Sequence, residues 1–205
     1  MSFLLRMQNI SKSYPGVTAL DNVSIDLQSG EVHCLIGENG AGKSTLIKIL
    51  SGFLHPTTGK VCIVEDGKTF GPRHFFHTIG MCTPEMRLYE ELTGWENLIF
   101  FAQLRGAKDA PDRLRGALGL AGLEKARNSR VKVYSSGMKQ RLKLLLAVFH
   151  APPILYLDEP GSNLDENGMK FVSEIIDSQR GRGMSVVATN DPGEYGYGNK
   201  KVSLA

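Results

Sequence analysis

The run Gly37-Glu38-Asn39-Gly40-Ala41-Gly42-Lys43-Ser44-Thr45 constrains this chain more than any other stretch. It fits G-x-x-x-x-G-K-[ST], with the apolar run His33-Cys34-Leu35-Ile36 before it and the helix-like Leu46-Ile47-Lys48-Ile49-Leu50 after it. Strand, glycine loop and helix in that order make a phosphate cradle. Glycines let the backbone turn tightly and aim N–H groups inward, and the positive end of the following helix adds to the same field. Lys43 is placed to reach the outer phosphates, and the Ser44 hydroxyl to ligate Mg2+. Residues 37–45 therefore predict a nucleoside triphosphate site.

A second run, Ile154-Leu155-Tyr156-Leu157-Asp158-Glu159-Pro160, is an apolar strand ending in two carboxylates. Buried beside the strand that carries the loop, it would bring both carboxylates out next to the phosphates. Asp158 would then hold the Mg2+ shell while Glu159 polarises a water for in-line attack on the γ-phosphorus.

Between these runs, residues 3–10 and 19–27 alternate apolar and polar and read as half-buried strands around the turn Tyr14-Pro15-Gly16. Further strands are expected at 31–36, 60–64, 79–83, 153–157, 184–189 and 201–204. Helical spacing runs from Trp95 to Leu123, punctuated by Pro111; a further helix starts at Ser135 or Ser136 and runs to about His150, and another spans about 167–179. Strands alternating with helices predict an α/β fold with a mostly parallel sheet. The antiparallel pattern near the N-terminus and the helical stretch at about 86–150 read as additions to a core of 1–85 and 151–205 within one domain.

At 205 residues, with 41% hydrophobic and 22% charged residues, the composition is that of a soluble globular domain. No stretch approaches the roughly 18 uncharged apolar residues of a membrane span, and the opening is too short in apolar residues for a signal peptide. Cys34, Cys62 and Cys82 show no paired spacing and read as reduced cytosolic residues. The net charge of +3 is unevenly spread: from Arg105 to Lys132, eight basic residues face Asp109, Asp112 and Glu124, which gives +5 there and −2 elsewhere. Such a stretch is more often a solvated face than a nucleic-acid or lipid patch.

Together these runs resemble the nucleotide-binding subunit of an ATP-binding cassette (ABC) transporter over nearly the whole chain, a P-loop NTPase fold with its antiparallel β and α-helical subdomains. Tyr134-Ser135-Ser136-Gly137-Met138-Lys139-Gln140-Arg141 stands where the family carries its Leu-Ser-Gly-Gly-Gln signature. A serine hydroxyl and N–H groups at a helix start form an anion site. The resemblance implies that Ser135, Ser136 and Gly137 close on ATP held by a second, head-to-tail subunit. It also implies that Gly161 to Asp165 cross that interface and that Tyr14 stacks on adenine. ATP and Mg2+ are the implied cofactors. The implied partners are a separate integral membrane subunit and a second cassette, identical or related, with no nucleic acid. The implied location is cytoplasmic, on the inner face of the membrane.

Departures from the family pattern matter. The glutamine expected after Ile79-Gly80 would fall near Thr83, Pro84 or Glu85; none is there, and Glu85 offers a carboxylate to the metal instead. The family histidine that contacts the γ-phosphate is Asn190, which donates one amide hydrogen bond but carries no charge. In the signature, Ser136 replaces a glycine, acceptable at negative φ, and Met138 replaces glutamine. Catalysis is thus expected from Lys43, Glu159 and Asn190, as a slow but real ATPase. Two other readings stay open: a soluble clamp or switch acting on nucleic acid or ribosomes, and a nucleotide-binding module that hardly turns over. Trp95, Leu98, Phe100 and Phe101, with Leu88 and Tyr89, are expected mostly in the core, some lining a groove for the membrane partner. The chain's shortness resembles haem-export subunits.

Overall fold

A computed structural model describes residues 3–76, 78–106 and 111–204. Two sheets enclose one helix. The first is antiparallel, ordered β2-β1-β4-β5, and is built from β1 (Phe3–Tyr14), β2 (Val17–Gln28), β4 (Thr58–Glu65) and β5 (Lys68–Phe70). Its apolar face is Leu5, Met7, Ile10, Leu20, Ile25, Leu27 and Ile63, the inward half of the alternation read from the sequence. The three-residue β5 is too short to show any period and was not expected.

The second sheet is ordered β6-β7-β8-β3-β9, with every neighbouring pair parallel. Its strands are β3 (Val32–Ile36), β6 (Ile79–Cys82), β7 (Ile154–Asp158), β8 (Met184–Thr189) and β9 (Lys200–Ser203). All residues of β7 and β8 are buried, as a parallel sheet covered on both faces requires. Along β7 the side chains alternate: Ile154 and Tyr156 join α1 (Lys43–Leu50) and the antiparallel sheet, while Leu155 and Leu157 join the helices opposite. Those helices are α2 (Gly94–Leu104), α3 (Pro111–Leu120), α4 (Ser136–Val148) and α5 (Glu166–Arg180).

One expectation needs correcting. β7 does not lie beside the loop-bearing β3, because β8 stands between them. The reason is the crossover: α5 returns the chain to the strand position next to β7, and sequential parallel strands commonly neighbour one another in this way. The carboxylates are not displaced by this, since Asp158 pairs with Ala188 and Ile36 with Thr189, so β7, β8 and β3 end at one edge.

The helices expected from periodicity are present. Thr93 starts α2 with a reciprocal cap, accepting from Glu96 N–H at 3.1 Å while Glu96 Oε2 accepts from Thr93 N–H at 2.8 Å. Helix α4 packs on β6 as well as on α2, α3 and α5, and one apolar cluster runs through all of them. The approach to β6 is close: a Cβ on Gly80 would overlap the Ala147 carbonyl oxygen and sit 2.6 Å from Pro152 Cγ. Gly80→Ala should therefore push α4 off the sheet at an overpacking cost of about 1–3 kcal/mol. Thermal unfolding should show Tm lower by roughly 5 °C; an unchanged Tm would mean that α4 yields without loss.

Candidate active site

The chain turns from β3 into α1 through the glycine loop. Gly42 sits at φ +88°, and a Cβ there would overlap the Ala19 carbonyl oxygen on β2, so this position needs glycine for both conformation and space. No side chain caps α1, which leaves its first N–H groups and its positive dipole end facing the cavity. Lys43 is 6% exposed and donates to the carbonyls of Gly37 at 2.7 Å and Glu38 at 3.0 Å, with Glu159 Oε1 at 3.9 Å.

A cavity of about 690 Å³ opens at the carboxyl ends of the parallel strands, where α/β sheets bind their ligands. It collects Asn39, Gly40, Gly42, Lys43, Ser44 and Thr45 from the loop, Glu159 from β7's end, and Asn190 beyond β8. Gly37 and Glu38 line an adjoining recess with Asn39, Asn190 and Tyr195, while Ala41 turns back through its N–H to the Glu38 carbonyl at 3.2 Å.

Asp158 is 2% exposed, lies beside the Ser44 side chain, which favours its charged form, and among the described residues leaves its Oδ1 without a hydrogen-bond partner. Burial pushes its carboxyl above the usual range, although Ser44 and Lys43 act against that shift. An orphaned buried carboxylate oxygen beside a serine hydroxyl is a hard oxygen donor set, and it fits Mg2+, which fills its remaining positions with phosphate and water. Glu85 lies near enough to act on Asp158 electrostatically, but its Oε1 pairs with Lys48 Nζ at 2.6 Å on the protein surface.

Glu159 is placed by an unusual backbone. Its φ is +50° and its N–H donates to Ala188 O at 2.8 Å, with the Asn190 backbone near enough to favour its charged form. Burial raises its pKa; Lys43 opposes this, and Asp158 and Glu194 add to it. A carboxylate moved toward neutrality is a better general base than an ordinary one. Asn190 uses its side chain differently, donating from Nδ2 to Asn39 Oδ1 at 3.0 Å.

The signature residues are not in this cavity. Ser135 caps α4 by accepting from Met138 N–H at 3.2 Å, and Ser136 opens the helix with ordinary φ. Ser136 lines a second cavity with Met86, Lys139, Gln140 and Asn163. Asn163 borders both cavities, and Gly137 packs so near that a Cβ would lie 2.9 Å from the Asn163 carbonyl oxygen. Asp165 caps α5 by accepting from Gly168 N–H at 2.8 Å and does not line the phosphate cavity. Tyr14 also lies outside it, 44% exposed at the hairpin end, with Lys12 Nζ 5.2 Å from its ring centre.

The sequence model of the family described as ABC transporter matches residues 20–162. The chain belongs to the ABC transporter family. It is 36% identical to the lantibiotic transport ATP-binding protein SrtF of Streptococcus pyogenes over 188 residues, which is 91% of this chain and 80% of that protein. A solved ATP-binding subunit of an ABC transporter is 31% identical, with a TM-score of 0.86 over 98% of this chain and 85% of that one. The dimeric ABC cassette MJ0796, 24% identical with a TM-score of 0.85, shares the fold over 98% of this chain and 94% of its own. The chain is an ABC ATPase.

The aromatic, basic and cysteine residues lie elsewhere. Leu98 is fully buried, Trp95, Leu88 and Phe101 pack against the same core, and Tyr89 is 50% exposed with its ring edge-on to Phe100 at 5.0 Å. In the basic stretch, Arg105 donates to Ile79 O at 3.1 Å, and Arg130 and Lys132 pair with Glu91. Lys108 and Asp109, and the side chains of Asp112 and Arg113, lie outside the described residues. Cys34 and Cys82 are buried and Cys62 partly so, all three free; burial pushes the Cys82 thiol up to about 12. Sequence reasoning missed Gln140, whose Nε2 donates to Pro160 O at 3.0 Å, and Glu194 beneath the cavity.

Lys43→Ala should abolish most ATP binding, since lysine is the point charge on the outer phosphates. Calorimetry with Mg2+ checks it, and equal affinity in the variant refutes the assignment.

Proposed function

We propose that this ATPase powers a transporter by closing head to tail on a second cassette around Mg·ATP, while docked on the cytoplasmic face of a separate membrane subunit. One observation carries the reading. Lys43, Ser44 and Glu159 line one cavity, with Asp158 buried beside Ser44, while the signature helix start opens at another, with Asn163 bordering both. A site split in this way is completed by a second copy. The transport path would belong to the partner, for among the described residues no helix is long and apolar enough to cross a membrane.

In this reading the N–H groups of residues 39–45 and Lys43 bind the phosphates, and Tyr14 takes the adenine from the hairpin end. Ser44 and Asp158 hold Mg2+, which when bound neutralises phosphate charge. Glu159 takes the proton of the attacking water. Glu85, tied to Lys48, serves the metal only if that pair opens. Residues 86–150 form the helical subdomain, carrying Ser135, Ser136 and Gly137 to the opposite nucleotide, and Asp165 holds the interface loop through its cap on α5. The groove of Phe53, Phe76, Met81, Met86 and Phe101 suits a helix of the membrane partner. Similarity to SrtF, a lantibiotic transport protein, favours a peptide cargo over the haem-export resemblance and favours transport over a nucleic-acid or ribosome clamp. The second cassette is identical or closely related.

Glu159→Gln should leave ATP binding intact, block turnover and trap the dimer, because the amide keeps the shape and removes the charge that repels the γ-phosphate. Sedimentation should show a dimer with ATP that is lost with ADP; turnover at the wild-type rate sinks the base assignment.

Asn190→His should raise single-turnover hydrolysis on the order of tenfold, from one charge-assisted contact of about 1.4 kcal/mol to the developing γ-phosphate charge. An unchanged or lower rate with saturating Mg·ATP would mean that Asn190 is adapted to this site, and the slow-ATPase reading would lose its main support.

A further inference from the structure

Glu194 takes no part in the chemistry above, yet at 2% exposure it is as deeply buried as Asp158. It ends the short 3-10 turn Pro192–Glu194, which Asp191 caps by accepting from Gly193 N–H at 2.8 Å. From there it reaches the floor of the phosphate cavity, where its Oε1 packs against Gly161, and the Thr189 side chain and the Gly161 backbone lie close enough to favour its charged form. The Thr189 hydroxyl in turn accepts from Asp191 N–H at 3.0 Å, closing a small network. Glu194 Oε2 has no partner at all. Burying a carboxylate with half its acceptors unused is unfavourable, so the arrangement calls for a reason.

Gly161 supplies one. It lies two residues beyond Glu159, and it meets Glu194 so closely that a Cβ there would overlap Oε1. From the opposite side Gln140 Nε2 donates to Pro160 O at 3.0 Å, and Glu159 N–H donates to Ala188 O at 2.8 Å. Three elements thus grip three consecutive residues. Glu159 itself stands at φ +50°, a conformation that a residue with a side chain keeps only where its surroundings over-determine it.

We propose that Glu194 is a positioning residue for hydrolysis: by packing its carboxylate against Gly161, where no side chain would fit, it fixes the left-handed bend at Glu159 and aims that carboxylate at the attacking water. The proposal rests on Glu159 as the general base. Glu194 acts through Gly161 and Glu159 rather than on the reacting atoms, so it sets kcat and leaves ATP affinity alone.

Two substitutions separate reach from charge without emptying the site. Glu194→Asp keeps the charge and withdraws the carboxylate from Gly161 by one methylene. Glu194→Gln drops the charge and keeps an acceptor oxygen at the same reach. Steady-state ATPase of the full chain should show kcat about ten- to a hundredfold lower in the Asp variant, the scale of a small misplacement of a reacting group. The Gln variant should recover to within about threefold of wild type, and KM for ATP should stay within about twofold in both. An Asp variant at the wild-type kcat, or a Gln variant as slow as Asp, overturns the proposal. In a Glu159→Gln background, adding Glu194→Asp should change the residual rate less than about twofold, because groups acting through one another are not additive. A further tenfold loss would overturn it too. If Glu159→Gln alone keeps full turnover, the base reading fails instead, and that result is visible apart from the others.

Discussion

Three parallel strands ending at one edge are the constraint on which the chemistry here depends. β3, β8 and β7 deliver the phosphate loop, Asn190 and the Asp158-Glu159 pair to the same line because their registers put Ile36, Thr189 and Asp158 level or nearly so. A slip of one residue in β7 would turn Leu155 and Tyr156 to the wrong cores and carry Asp158 away from Ser44. The two apolar clusters on either face therefore do more than stabilise the sheet. By fixing which side chains of β7 point which way, they fix where its carboxylates emerge.

That edge gathers charge of both signs in a largely dehydrated place. Asp158, Glu159 and Glu194 are all pushed toward neutrality by burial; Asp158 and Glu194 raise Glu159 further, and Asp191 raises Glu194. Lys43 and Lys48 act against this at Asp158, but Lys43 is turned into the loop carbonyls of Gly37 and Glu38 and Lys48 pairs with Glu85. An acidic cluster whose charges repel is stabilised by whatever brings positive charge with it, so in the proposed function Mg2+ arriving with ATP would relieve a cost that the sheet geometry imposes. Binding and metal capture are then linked, since phosphate alone would meet three carboxylates.

Much of this was legible because it is local. The loop motif, the Asp158-Glu159 strand end and the helix start at Ser135 are each fixed by contiguous residues, and periodicity gave the strands and helices that carry them. Strand order was not local, and so β8 was not expected between β7 and β3. Glu194 was invisible for a similar reason: in Asp191-Pro192-Gly193-Glu194-Tyr195 it reads as an acid in a polar turn, and only tertiary packing buries it. Gln140 left a fainter trace, four residues before buried Leu144 on the apolar stripe of α4, where a polar side chain needs partners. The β5 strand had none, since three residues cannot show a period of two.

The departure at Asn190 is easier to understand from the backbone than from the side chain. It is the Asn190 backbone, whose N–H is common to every residue that could stand there except proline, that lies near the Glu159 carboxylate and favours its charged form. The side chain is spent on Asn39 Oδ1 in the phosphate loop. Base placement and phosphate contact are thus separated at this one position, so losing the imidazole removes a charged donor without disturbing the base. A chain can accept that substitution and keep hydrolysing. In the proposed reading it gives up the part of transition-state stabilisation that a charged donor at the γ-phosphate would supply, while Lys43 and the α1 N-terminus would continue to supply theirs.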